Sequence, residues 1–368
     1  MDFNPSPAQQ LLVSTAREVL RKHCPPELVQ RLALEPRGFD AALWRAMAEL
    51  GWPGLLIPIE LGGSGGSLLD VVLLCEEMGR AALAGPFVAS AVVATTLIQG
   101  AGTPAQQKRL LPALASGERI LALAYIEDGG SADPDAVRLT PDGRGRLTGR
   151  KLFVTDAHLA DELIVVVRAA RDLGLVLLPT DRPGVTRTPL ESIGGERLFE
   201  VAFDGVAVGP GDRLGAGHER EHLAAALRAG ALARTAEMVG AAQRAHEASL
   251  EHAKARVQGG RPIGGYQAIQ HACADNVRDV DAARGLLHAA AWAEEQAPPA
   301  TADVAMAKAY GAEACLAVAR RAHQIFGAIG YCEEHLLHLL HKRILAASVD
   351  CGETAHHLET VARAIGLG

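Results

Sequence analysis

A chain of 368 residues exceeds the usual single-domain size, so two or three domains are expected. Hydrophobic residues make up 49% of it and aromatics only 4%, which requires a core built mainly of Ala, Leu and Val. Such a composition suits close helix–helix packing. The formal net charge of -7 argues against a nucleic-acid or anionic-membrane partner. Cys24, Cys75, Cys273, Cys315, Cys332 and Cys351 form no CxxC pair, as expected for reduced thiols in a cytosol. The N-terminal MDFNPSPAQQ lacks a basic and an apolar targeting segment, and no apolar run reaches the roughly 18 residues of a membrane span. A soluble, cytoplasmic protein is expected.

From Pro7 to about Ser116 the pattern is helical, with Leu11, Leu12, Ala16, Val19 and Leu20 recurring at three-to-four spacing. GWPG and GGSGGS punctuate this zone. Between about Arg119 and Val208 the texture changes to short β-rich runs. ILALAYI, GRLTGRKLFVTD, DELIVVVR, GLVLLPT, GVTRTPL and LFEVAFDGVAV are separated by Gly, Pro and Asp turns. Past Pro210 no proline occurs until Pro262, so Glu219 to Arg256 forms one helix of roughly 57 Å. Three further helical segments are expected, broken at Pro298–Pro299 and around Gly327–Gly330. The fold class is α+β: an all-α domain over 1–118, a β-barrel or sandwich over 119–210, and a long four-helix bundle over 211–368.

GGSGGS (Gly62 to Ser67) has no Walker lysine and no preceding strand, so it reads as an interhelical turn rather than a phosphate cradle. His335, His338 and His341 stand at i, i+3 and i+6 of one expected helix. Three-residue steps fan them across roughly 120°, which suits polar surface better than metal ligation. GxGxxG is absent.

Four local words, in order along essentially the whole chain, resemble the acyl-CoA dehydrogenase family of flavoproteins. They are GWPGLLIPIELGGSGGSLLDVVLLCEEMGRA, LTGRKLFVTDAHLADELIVVVR, RVQGGRPIGGYQAIQHACAD and QIFGAIGYCEEHLLHLLHKR. The resemblance implies FAD as cofactor, an acyl-CoA substrate undergoing α,β-desaturation, and electron-transfer flavoprotein as acceptor. It also implies a homo-oligomer, or a heterotetramer with a glutamate-bearing paralogue, in which the cofactor bridges subunits. Carried over residue by residue, it puts Thr155 near flavin N5 and Phe153 where an aromatic, usually Trp, covers the ring. Arg256 would pair with the pyrophosphate, and Gln267 and Gln324 would hydrogen-bond the cofactor. Gly327 and Ala328 occupy the family's two-glycine site beside the adenosine half. Glu127 and Ser131 match the acid and hydroxyl of the family's TEPxxGSD stretch.

Departures from the pattern are as informative. Ile126 and Asp128 replace the Thr and Pro of TEP, and Gly259 replaces a Phe beside the flavin. Ala231 stands where an arginine binds the CoA phosphates, leaving Arg228 or Arg234 to substitute. The resemblance also implies a carboxylate base for the α-proton, in a C-terminal loop or, in a minority of members, on the long helix. These slots are Gly352 and Gly230 here. In SVDCGET (Ser348 to Thr354) the acid stands one place on, at Glu353, with Asp350 as a second candidate. Glycine at both slots also resembles the base-deficient subunits of heteromeric members of the family.

Overall fold

The computed structural model describes residues 4–169, 172–215, 217–296 and 299–367. The first helix, α1 (Pro7–His23), is started by Ser6: its hydroxyl accepts from the Gln9 amide while the Gln9 side chain accepts from the Ser6 amide. This reciprocal cap satisfies two donors that a helix N-terminus otherwise leaves orphaned. Helices α2 (Pro26–Leu34) and α3 (Ala41–Glu49) follow. GGSGGS is a turn, and its last residue, Ser67, caps α4 (Leu68–Arg80) together with Asp70. A π-helical turn (Phe87–Ala94) runs into α5 (Thr95–Ala101), and α6 (Pro104–Ala115) closes the zone.

Seven strands come next: β1 (Leu121–Ala124), β2 (Arg146–Thr155), β3 (Glu162–Ala169), β4 (Asp172–Pro179), β5 (Val185–Leu190), β6 (Leu198–Ala207) and β7 (Arg213–Leu214). They make one sheet in the order β1-β3-β4-β7 and a second in the order β2-β6-β5. The β1–β3 pair is parallel and the other pairs are antiparallel. Val165, Val167 and Leu178 of the first sheet share an apolar cluster with Val201, Phe203 and Val206 of the second.

The long helix α7 (Glu219–Ala255) follows, then a small hairpin of β8 (Val257–Gln258) and β9 (Arg261–Pro262). The remaining helices are α8 (Gln267–Glu294), α9 (Thr301–Phe326), α10 (Leu337–Val349) and α11 (Thr354–Ala364). The helix–sheet–helix order matches expectation, but four segments follow α7 rather than three, because the turn at 350–353 divides the last. Pro298 of the expected Pro298–Pro299 break lies outside the described residues. His335 is not on a helix with its two neighbours. It precedes α10, accepts from the Leu337 amide and lies against the Phe326 ring.

Two glycines fix how α4 crosses α7. A Cβ on Gly79 would overlap the carbonyl oxygen of Glu237, and one on Gly240 would overlap that of Glu76. Around this crossing α4 is tied by charge. Buried Glu76 accepts from Arg284 at 2.9 Å and meets His288 at 2.6 Å, both on α8. Glu77 accepts from Arg17 of α1 at 2.6 Å, and Arg80 donates to Glu247 of α7 at 2.7 Å. No described helix is long and apolar enough to cross a membrane.

Candidate active site

Strand β2 departs from regular pairing just before it ends. The register with β6 shifts between Lys151 and Val154, and Phe153 adopts φ 55°. A non-glycine residue in that region is strained, and such strain concentrates at functional sites. The bulge turns the Phe153 ring outward, 47% exposed, onto the wall of a cavity of about 660 Å³. That volume lies within the range of small-molecule sites, roughly 300–1,000 Å³. Thr155 shares the wall, and the loop after β1 brings Gly129, Gly130 and Ser131 to it. Ser131 Oγ accepts from the Asp133 amide at 3.1 Å, which leaves its hydroxyl proton free to donate.

Opposite stands the turn between α10 and α11. Cys351 has φ 58° and Gly352 φ 105°, and Glu353 is the N-cap of α11. Several side chains hold this turn. Arg234 of α7 donates through Nε to Asp350 Oδ2 at 2.8 Å, and the Asp350 Oδ1 accepts from the Cys351 amide at 2.9 Å. His357 Nε2 bonds the Cys351 carbonyl at 3.0 Å. Buried Lys308 donates to the carbonyl of Ala347 in the last turn of α10. Burial lowers the Lys308 pKa to about 8 despite nearby Cys351 and Asp350. Burial, aided by Lys308, takes His357 down to about 4, so its ring is neutral at pH 7. Burial works to raise Asp350, but Arg234 and Lys308 outweigh it and hold the carboxyl below its ordinary value.

Both glycines at the slots implied by resemblance are filled by neighbours. A Cβ on Gly230 would lie 2.7 Å from Cys351 Sγ and 2.8 Å from Val93 Cγ2. One on Gly352 would lie 2.7 Å from His357 Nε2 and 2.8 Å from His356 Cδ2. Neither backbone position accepts a side chain without repacking. Glu353, by contrast, lines the cavity, and its carboxylate has no hydrogen-bond or ion-pair partner among the described residues.

The residues singled out from the sequence divide into three groups. Ser131, Phe153, Thr155 and Glu353 surround the one cavity. Glu127 is engaged within the β layer: Oε1 accepts from Lys151 Nζ at 2.7 Å and the Leu139 amide at 2.9 Å, and Oε2 accepts from the Arg138 amide at 2.8 Å. Arg256, Gln267, Gln324, Gly327 and Ala328 are all exposed and off that cavity. They lie at the end of α7, the start of α8 and the end of α9, and Gly327 caps α9 with φ 65°. A shallower hollow of about 340 Å³, lined by His252, Ala255, Phe326 and His335, adjoins the Arg256 and Gly327 ends.

Arg234 is the residue that sequence reasoning misplaced. It is only 3% exposed, with Nη1 donating to Glu237 at 2.8 Å in addition to the Asp350 contact, so it is not free for a CoA phosphate. Arg228 is likewise spent, on Glu294 at 2.7 Å. The signal for a buried role was the pair of acids, Glu237 one turn away on the same helix and Asp350 in the turn.

Models of the acyl-CoA dehydrogenase N-terminal domain and C-terminal domain match residues 6–118 and 221–366. Together they span most of the chain, which therefore belongs to the acyl-CoA dehydrogenase family of FAD flavoproteins. The chain is 32% identical over 353 residues to benzylmalonyl-CoA dehydrogenase of Aromatoleum aromaticum, covering 91% of this chain and 92% of that one. Butyryl-CoA dehydrogenase from Megasphaera elsdenii has a similar structure, with a TM-score of 0.91 at 26% identity over 99% of this chain and 100% of that one. The ChsE4-ChsE5 complex from Mycobacterium tuberculosis is similar with a TM-score of 0.91 at 28% identity, with all of both chains covered.

Proposed function

We propose that the chain is an FAD-dependent acyl-CoA dehydrogenase that introduces an α,β double bond into an acyl-CoA thioester, with Glu353 as the base. The observation that carries this reading is the uncommitted Glu353 carboxylate facing the same cavity as Phe153 and Thr155. Of the other carboxylates on or beside that wall, Asp350 and Glu237 are held by Arg234, and Glu196 is bound through Oε1 to Arg343 at 2.8 Å, with its Oε2 buried and unpartnered. A carboxylate that must take a proton cannot also be held by a guanidinium, which favours its charged form.

The cavity wall fits the cofactor. A flat conjugated ring needs an apolar face and hydrogen-bonding groups at its edge; the outturned Phe153 offers the first, and the Thr155 and Ser131 hydroxyls offer the second. FAD supplies the hydride acceptor. The chain's own part is to orient and deprotonate: Phe153 and Thr155 position the ring, and the 350–353 turn presents Glu353 to the substrate α-carbon. The apolar walls around them exclude water. Arg256, Gln267, Gln324, Gly327 and Ala328, exposed and off the cavity, suit contact with the phosphate and adenosine parts of an FAD shared with a neighbouring subunit. In this reading the protein is an oligomer in the cytoplasm, and electron-transfer flavoprotein reoxidises it.

A second reading, favoured by the filled Gly230 and Gly352 slots, makes the chain a base-lacking partner of a glutamate-bearing paralogue in a heterotetramer. Glu353→Gln separates the two. Under the first reading it cuts acyl-CoA-dependent flavin bleaching by roughly a hundredfold to ten-thousandfold, leaving FAD content and melting temperature unchanged. Undiminished bleaching by that variant alone would refute the assignment of Glu353. Bleaching that needs the paralogue, and ignores Glu353→Gln, supports the second reading instead.

A further inference from the structure

Val88, Val93, Leu123 and Leu227 give the cavity an apolar wall. Into this surface the middle of α7 places Arg234, 3% exposed. A guanidinium carries five N–H donors and is costly to bury unless they are satisfied. Nε is taken by Asp350 and Nη1 by Glu237, each at 2.8 Å. Nη2 has no protein acceptor among the described residues.

Resting on the acyl-CoA reading above, we propose that Arg234 is a specificity-determining residue: its free Nη2 binds a neutral oxygen, ketone or hydroxyl, carried on the substrate acyl chain away from the thioester. Charge selects a neutral acceptor over a carboxylate. Arg234 and Lys308 already face Asp350 and Glu237, so the cluster is balanced and has no positive charge to spare for a carboxylate. Glu196, also on the cavity wall, is balanced by Arg343 and adds no positive excess. A hydroxyl would gain twice, accepting from Nη2 and donating to an Asp350 oxygen.

Asp350, which holds Arg234, and Glu353 stand three residues apart in one turn, so the group that binds the oxygen and the base line the same cavity.

The test is binding to the FAD-loaded protein by calorimetry, comparing hexanoyl-CoA with 5-oxohexanoyl-CoA and octanoyl-CoA with 7-oxooctanoyl-CoA. Suberyl-CoA supplies the carboxylate control. At least one oxo compound should bind roughly tenfold to a hundredfold more tightly than its hydrocarbon match, the gain of a hydrogen bond to a charged group. Suberyl-CoA should gain nothing over octanoyl-CoA. Arg234→Met should abolish the oxo preference, and Asp350→Asn, which keeps shape while removing one negative charge, should improve suberyl-CoA relative to octanoyl-CoA. Oxo and plain compounds bound within twofold of each other by the unaltered protein would overturn the proposal while leaving the acyl-CoA reading standing. Binding of none of the five would overturn the acyl-CoA reading, and this inference with it.

Discussion

Gly352→Ala tests whether the turn before α11 is closed to side chains. The residue sits at φ 105°, a region that costs an L-residue about 1–3 kcal/mol. The new methyl would also meet His357 Nε2 at 2.7 Å and His356 Cδ2 at 2.8 Å. His357 is 7% exposed and bonded to the Cys351 carbonyl, so it has nowhere to swing. Overpacking of this kind adds about 1–3 kcal/mol. Against this, alanine restricts the unfolded chain and returns about 0.4–1 kcal/mol. The net expectation is a loss of about 3 kcal/mol, read in urea denaturation as a lower midpoint at unchanged slope. In a His357→Ala background the clash with His357 is gone and only that with His356 remains, so the same substitution should cost about 1–2 kcal/mol less. A Gly352→Ala protein within about 0.5 kcal/mol of the parent, beyond the error of the measurement, would show that the turn relaxes freely. Position 352 could then carry a side chain, a catalytic carboxylate included.

His357 makes a prediction about acid. Its folded pKa of about 4 lies below the ordinary 6.5, so its contribution is fully present above pH 6.5 and is lost as pH falls towards 4. Asp156, raised by burial to about 7, runs the other way across that window, so the parent protein's own pH profile mixes the two. The clean measurement is the stability gap between the parent and His357→Leu, which should close by about 2 kcal/mol between pH 7 and pH 5; a gap independent of pH would contradict the neutral buried ring. Glu127→Ala strands Lys151, whose side chain is fully buried, and should cost about 3 kcal/mol in urea denaturation. A loss of FAD from Glu127→Ala with stability intact would instead give Glu127 a direct role at the cofactor.

The parts of the fold readable from sequence are those set by local chemistry. Helix α7 was delimited to within a residue because nothing between Glu219 and Ala255 breaks a helix and Pro262 lies just past its end. The strands were readable because Gly, Pro and Asp separate short β-branched runs. The cut between α10 and α11 was harder, since Cys351 adopts positive φ without being glycine. Within the site, Phe153, Thr155 and Glu353 were found through resemblance, yet the bulge that turns Phe153 outward depends on pairing with β6, far away in sequence. The buried placement of Arg234 is not legible because α7 is buried on most of its circumference, so periodicity does not show which side meets the cavity. Its partner Asp350 is 116 positions away.

The crossing of α4 over α7 at Gly79 and Gly240 has a consequence for how this chain tolerates change. Any side chain at either position would have to pass through the opposing backbone, so even alanine is excluded there. In a survey of all single substitutions, these two glycines should rank with the proposed base and flavin contacts in intolerance, although they lie off the cavity. With Glu353 as the base proposed above, Glu353→Gln and Gly240→Ala would both score as dead in a growth selection. Only the first would leave a folded protein in the soluble fraction. Abundance and activity must therefore be scored separately before intolerant positions are used to draw the outline of the active site.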